Sequence, residues 1–486
     1  MGKDPAHRTP WRDNLEAAAM AILLALFLKA FLVEAYKIPS GSMQPTLMGM
    51  PTPGDSVIAR DGGPGPEVKD RILVDKLTPR LRDPKRWEVL VFRYPLKRSQ
   101  NFVKRMVGMP GEQLQIRNGD IFVRPDGEAE WSIPRRPKRV QEAHWRAVQG
   151  GDRDWRQTEG SAWRIEPGRI EATGEGVARF ADGAAVLDRY FDGYPEAVRK
   201  ALPSRHPTKE GTHPVGDLRL TCELRLETDC KSVIFELSEG DSTYRFLVPG
   251  PAADPEAKAT IFCDPATVAE ESLGRSVAES AGPLRAGRAV DVQVENLDDR
   301  LTLRLDGEAV VELDIREAAR QQTTLQVRVD GGGATFDDLG LERDIFYFAS
   351  RTSRFDVPDG HYFMLGDNTL NSSDGREWEA ARFQLESDPE TVLVGNNRPG
   401  DNPSGEIHRD ESGRFFRFTD QWGTDHLLQV DETDAPETLP PWLERATRLG
   451  NEPSPFVERN LIVGRALAVF WPILPHKGIV RLEWVD

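Results

Sequence analysis

Three short segments carry the side chains that could break a covalent bond. Residues 36–47, YKIPSGSMQPTL, set Ser40 and Ser42 around Gly41, between prolines that restrict the local backbone. Gly41 permits a turn in which one backbone N–H and a neighbouring hydroxyl converge on a single oxyanion, as acyl transfer requires. The same composition also makes an ordinary loop. In the second segment, FVKRMVGMPGE (102–112), strand periodicity puts Phe102, Lys104 and Met106 on one face and Val103, Arg105 and Val107 on the other. Lys104 then either enters apolar surroundings, where desolvation lowers its pKa toward that of a general base, or snorkels outward. The third segment, GDNTLNSSDGR (366–376), is dense in Asp, Asn and Ser, but Thr369 breaks the EF-hand ligand pattern. It reads better as a loop held by an Asp374–Arg376 pair, with Ser372 available for hydrogen bonding, than as a metal site. The eight histidines are scattered, and only His361 lies near a candidate motif, so a Ser-His-Asp arrangement has little support.

The elements that must position these residues are mostly strands. Runs at 56–60, 71–77, 88–95, 101–108 and 112–124 alternate between Pro/Gly turns, and the style returns at 346–378, 460–474 and 478–485. Between them lies a second β-rich stretch, 161–347, whose spacing and LDD and LDG turns predict a two-sheet sandwich. The chain is expected to divide into a cytoplasmic N-terminus (1–16), a transmembrane helix (17–36) and the first part of a β domain (37–124). A linker (125–160), the inserted sandwich (161–347), a second part of that domain (348–380), a polar insertion (381–456) and its closing strands (457–486) follow.

The transmembrane expectation rests on residues 17–33, apolar except for Lys29, which span about 25 Å as a helix. Lys3, Arg8 and Arg12 precede the run, so the positive-inside rule leaves the N-terminus in the cytoplasm and everything after Tyr36 outside. Lys29 reads as a snorkelling lysine, and a cleaved secretory signal is the rival reading of the segment. Ser42 follows so closely that it must lie within about 20 Å of the membrane surface. The net charge of −16 disfavours nucleic-acid binding, and three cysteines, all in the middle of the chain, cannot staple the whole of it.

The four stretches IPSGSMQPTL, FVKRMVGMPGE, DGHYFMLGDNTLNSSDGR and IVGRALAVFWP, in that order after one apolar segment, resemble type I (leader) signal peptidases. The resemblance implies a mainly β fold, a signal-peptidase-type catalytic domain with an inserted concanavalin/laminin-G-like sandwich and a single N-terminal transmembrane helix. It implies Ser42 as nucleophile, Lys104 as general base, and Ser40 with the Ser42 N–H as oxyanion hole. Ser372 would orient the lysine, with Asp374 and Arg376 supporting it and Asp367 and Arg105 forming a second bracing pair. Ile38, Met43, Leu47, Phe102 and Val103 would line pockets for small side chains, giving Ala-x-Ala preference. No metal or cofactor is implied. The implied partners are the signal-peptide regions of exported preproteins and the lipid bilayer of the cell membrane, with a glycan or protein ligand open for the sandwich. The chain departs from the family at Gly375, where a serine often stands, and in the acidic insertion after Arg376. The competing reading is a non-catalytic, membrane-anchored glycan-binding or adhesion protein in which the sandwich is the working module.

Overall fold

The computed structural model describes residues 10–50, 68–128, 130–148, 155–160, 163–196, 198, 211–240, 242–263, 281–315, 317, 323–397, 407–410, 413–430, 443–475 and 479–485. The strand expected at 56–60 and the basic residues Lys3 and Arg8 lie outside these. The fold is mainly β, with the first and last strands of one sheet separated in sequence by an inserted β-sandwich.

The sheet that carries Lys104 has eight strands. Seven run in the order Val33–Lys37, Arg71–Asp75, Ile462–Trp471, Val89–Tyr94, Lys97–Gly108, His361–Leu365 and Phe456–Glu458, and Glu483–Trp484 pairs with Ile462–Trp471. Strands from the beginning, middle and end of the chain are thus hydrogen-bonded neighbours. A three-stranded sheet of Arg354–Val357, Glu112–Arg117 and Asp120–Pro125 packs beside it around Val107, Leu114, Phe355 and Phe363. Its hairpin turns at Asn118 and Gly119, with φ of 51° and 97°, the left-handed pair that a two-residue turn demands.

The inserted sandwich has a six-stranded sheet, from Trp155–Gly160 to Thr260–Cys263, facing an eight-stranded one that includes Leu218–Leu226, Val290–Leu297 and Ala334–Arg343. Inward positions alternate along each strand, so Leu220, Leu224, Phe235, Phe246, Leu303, Val327 and Phe336 fill one core. The LDD and LDG turns are left-handed at Asp298, Asp299, Asp306 and Gly307. All three cysteines are free thiols in this domain.

Three expectations need correction. The helix runs Pro10–Phe31 rather than 17–36, because residues 33–37 pair antiparallel with Arg71–Asp75 and Glu34 meets Lys76 at 3.2 Å. Among the described residues no helix is long and apolar enough to cross a membrane. Segment 125–160 is not a mere linker. It contains the helix Lys138–His144, and two of its short strands join the sandwich sheets, while Arg136, His144, Trp145 and Arg146 are buried. The stretch 381–456 holds most of a further six-stranded sheet, Glu379–Leu385 to Glu444–Pro453, around Phe383, Phe418 and Leu428. Its few apolar residues sit at alternate positions, which was enough to build a small core despite the polar composition.

Arg136 explains why the supposed linker is ordered. Its guanidinium donates to Asp298 at 2.7 Å and to Asp344 at 3.0 Å, both from sandwich strand ends. Burial pushes the Asp344 carboxyl up to about 6 even with Arg136 beside it, and Asp217 and Asp298 push the same way. Replacing Arg136 by alanine leaves these carboxylates buried without their cation and is expected to cost about 3–5 kcal/mol. A lowered midpoint of urea unfolding reads that loss, and an unchanged midpoint would remove Arg136 from the junction.

Candidate active site

The strand Lys97–Gly108 is half-exposed at its start and buried over its last five residues, so Lys104 enters the interior just as the strand does. Its backbone pairs with Val89–Tyr94 on one side and His361–Leu365 on the other, which fixes where the side chain points. Lys104 is 3% and Ser42 9% exposed, and Lys104 Nζ lies 2.5 Å from Ser42 Oγ. Sixty-two residues separate the two in sequence. The Phe102 ring lies 5.4 Å from the ammonium.

The Ser42 turn is held from behind by residues 366–371. Asn368 donates its backbone N–H to the Ser42 carbonyl at 3.2 Å and its side-chain amide to the Gly41 carbonyl at 2.8 Å. Gly366 is required there, since a Cβ would stand 2.4 Å from the Ser42 carbonyl oxygen and 2.0 Å from Ser372 Oγ. Gly49 is similarly constrained, with its missing Cβ 2.1 Å from the Ser40 carbonyl oxygen. Neither Asn368 nor these glycines were singled out from sequence. The signal was faint, a glycine directly before Asp367 and an amide directly after it.

Two buried ion pairs flank the lysine. Arg105 binds Asp367 bidentately at 2.8 and 2.7 Å and donates to the Trp87 carbonyl at 2.8 Å. Arg376 does the same to Asp374, at 2.8 Å twice, and Asp374 accepts the Gly366 N–H at 3.0 Å. Burial alone pushes both carboxyls up, but Arg105 for Asp367 and Arg376 for Asp374 outweigh it and hold them below the usual carboxylate range. Ser372 is buried next to Gly366, and its Oγ has no hydrogen-bond partner among the described residues.

Of the residues expected to line pockets, Ile38, Met43 and Leu47 are buried in one apolar cluster, with Val103 packed against it. Phe102 lies elsewhere, stacked on Tyr94 at 4.4 Å and edge-on to Trp378. Ser40 is exposed. The departure at Gly375 has a steric cause: a Cβ there would lie 2.7 Å from the Pro455 carbonyl oxygen and 2.8 Å from the Phe363 ring. Away from this site, Asp120, Asp217 and Asp298 bring buried carboxylate oxygens within 4.8 Å of one another, a donor set suited to a hard cation, and Arg136 already pairs with Asp298.

A serine hydroxyl against a buried lysine amine, on a β scaffold with two arginine–carboxylate braces, is the constellation of a Ser/Lys hydrolase. The family model described as signal peptidase, peptidase S26, matches residues 11–175 and 291–387, more than half of the sequence, and the chain belongs to that family. A probable signal peptidase I-2 of Synechocystis is 29% identical over 126 residues, 25% of this chain and 49% of the relative. Signal peptidase I of Pseudomonas aeruginosa is 33% identical over 150 residues, 30% of this chain and 50% of the relative. The chain thus spans about half the length of these relatives. Among solved structures, a carbohydrate-binding module of Bacillus subtilis matches 39% of this chain and 96% of its own, at 11% identity and a TM-score of 0.25. The galectin LEC-6 of Caenorhabditis elegans matches 27% of this chain and 86% of its own, at 10% identity and a TM-score of 0.19.

Because the Asp367 pKa is lower folded than unfolded, its stabilisation is fully present above the unfolded value and lost as pH falls through the folded one. Protonated Asp367 then resembles asparagine. The stability gap between wild type and Asp367→Asn in urea unfolding is expected to be widest at neutral pH and to shrink below about pH 4. A gap independent of pH would contradict a charge-based brace.

Proposed function

We propose that the chain is a membrane-bound serine endopeptidase that removes N-terminal signal peptides from exported preproteins. The observation that carries this reading is the 2.5 Å contact between Ser42 Oγ and Lys104 Nζ in a site nearly closed to water. For Lys104 to act as base it must reach its neutral form near physiological pH. Burial favours that form, and each neighbouring carboxylate is already committed to an arginine, Asp367 to Arg105 and Asp374 to Arg376. Asp374 still attracts the Lys104 ammonium, so burial has to outweigh that attraction for the base to form.

In the proposed reaction Lys104 takes the Ser42 proton as Oγ attacks the scissile carbonyl. Ser40 and the Ser42 N–H stabilise the oxyanion, and Lys104 returns the proton to the leaving amine. Lys104 then activates the water that releases the acyl-enzyme. Ser372, whose buried hydroxyl lies in the adjoining loop, is the group proposed to orient the amine. Of the proposed pocket residues, Phe102 and Val103 retain partial exposure, and Ile38, Met43 and Leu47 form apolar support behind the turn. The Ala-x-Ala preference proposed for the site follows from the signal-peptidase resemblance.

Membrane anchoring completes the proposal. The helix Pro10–Phe31 exposes Leu15, Met20, Ile22, Leu23, Leu24, Leu26 and Phe27, and Trp471, Ile473, Val480, Leu482 and Trp484 are exposed at the end of the catalytic domain. This surface suits a chain anchored in the cell membrane with its catalytic domain outside the cytoplasm, where preprotein cleavage sites emerge. The sandwich is read as a docking module for a glycan or protein. It offers an open cavity of about 380 Å³ of mixed polar and apolar lining, bordered by Thr221, Cys222, Glu223, Asp291, Val292 and Gln293.

Cleavage of a model preprotein in detergent tests the reading. Wild type is expected to cut after an Ala-x-Ala site, and Ser42→Ala and Lys104→Ala to lose at least about a thousandfold in kcat, as removing a nucleophile or its base does. Activity surviving in Ser42→Ala would overturn the mechanism, and an inert wild type would favour the binding-protein reading.

A further inference from the structure

The loop 187–198 of the inserted domain reaches the back of the Ser42 turn. Tyr190, Tyr194 and Val198 share an apolar cluster with Met48 and Val68 from the catalytic part, and Leu370 packs against it. Inside this cluster lie polar contacts of defined direction. Gln44, two residues after the nucleophile, is 1% exposed, and its side-chain oxygen would stand 2.9 Å from a Cβ on Gly41. That oxygen accepts hydrogen bonds from the Tyr194 hydroxyl and, at 3.3 Å, from the Tyr190 hydroxyl. Tyr190 Oη in turn accepts from Asn371 Nδ2 at 3.2 Å.

We propose that the Tyr190 hydroxyl is a positioning residue for the peptidase reaction, supplied by the inserted domain, which ties the Ser42 turn to the loop carrying Ser372. This rests on reading Ser42 as nucleophile. The bridge donates to Gln44 on one side and accepts from Asn371 on the other, so it joins the residues flanking two groups that must converge on Lys104. A phenol is a rigid way to span such a gap, having two side-chain torsions that are both fixed by packing. Phe191 and Tyr194 hold the Tyr190 ring edge-on and tilted, at 4.9 and 5.9 Å between centroids. Nearby, Arg146 makes a parallel link, donating at 2.8 Å to Thr46 Oγ1, which donates at 2.6 Å to Asp367. The cavity between the two domains at Gln44, Arg146, Tyr190 and Asp367 is about 20 Å³, room for about one water. The insert is thus fitted to the turn, and removing a single hydroxyl tests the bridge without opening a large void.

Tyr190→Phe in the full chain removes both hydrogen bonds of the hydroxyl and is expected to lower kcat for preprotein cleavage about 5- to 30-fold, with KM little changed. Tyr244→Phe, the same substitution in the sandwich core, is expected to leave both constants unchanged. Asn371→Ala added to Tyr190→Phe is expected to cause little further loss, because both act through one bridge. Wild-type kcat in Tyr190→Phe, a change confined to KM, or fully additive losses would each overturn the proposal. Amide hydrogen exchange reads the bridge independently of catalysis. Tyr190→Phe should speed exchange in both 41–48 and 368–372, and unchanged exchange in either loop overturns the bridge. Inert wild type alongside faster exchange would refute the peptidase reading and with it the positioning role, leaving only the physical link between the loops.

Discussion

Arg105 and Asp367 pair with no exposure to water, and the site hangs on that pair. It crosses 262 residues of sequence, joining the strand that carries Lys104 to the loop that closes behind Ser42. Removing either partner would leave a naked charge in the interior, so the two must be buried together or not at all. Thr46 donates to the same carboxylate and Arg146 approaches it at 4.0 Å, which brings the Ser42 turn and the segment leading into the inserted domain to one anchor.

Around this anchor, close backbone approach replaces side-chain bulk. Gly366 lets the Ser42 carbonyl and Ser372 press against the chain, and Gly375 lets the strand before Phe456 cross over it. A serine at 375 would collide with the Pro455 carbonyl and the Phe363 ring, so a glycine there follows from how this chain routes the segment before Phe456. The further sheet built from residues 379–453 accounts for that routing, since Pro453 ends its strand and Ser454 donates to the Trp378 carbonyl at 3.0 Å.

The inserted domain is more closely fitted to the catalytic part than a tethered module. Arg136 is clamped by Asp298 and Asp344, Arg343 pairs with Asp192, and Arg219 reaches Glu142 in the helix Lys138–His144. The Arg343–Asp192 pair holds the loop that carries Tyr190 and Tyr194, and these two hydroxyls reach Gln44 beside Ser42. Segment 125–160 looked like a linker because its Trp and Arg residues follow no strand or helix period. Its order comes from partners 77 to 208 residues away, which no local pattern reveals.

Much of this protein was legible from sequence because the signals were local. Alternation gave the strands and the sandwich, the LDD and LDG turns marked turns within it, and the motifs around Ser42, Lys104 and residues 366–376 marked the candidate site, while the run 112–124 proved to be two strands joined at Asn118-Gly119. The helix boundary was missed because apolar composition continues through Val33 while pairing with Arg71–Asp75 takes residues 33–37 into the sheet. Sequence also placed Ile38, Met43 and Leu47 at a pocket surface, whereas packing against Ile72, Val74 and Val91 buries them. What only the tertiary structure decided is distance: that Lys104 Nζ meets Ser42 Oγ, that Asn368 grips the turn, and that Tyr190 stands between Gln44 and Asn371. The sequence determines which residues prefer strand, turn or interior, because those preferences act over a few neighbours. Contacts between distant segments depend on how whole sheets pack, and that is a property of the folded chain.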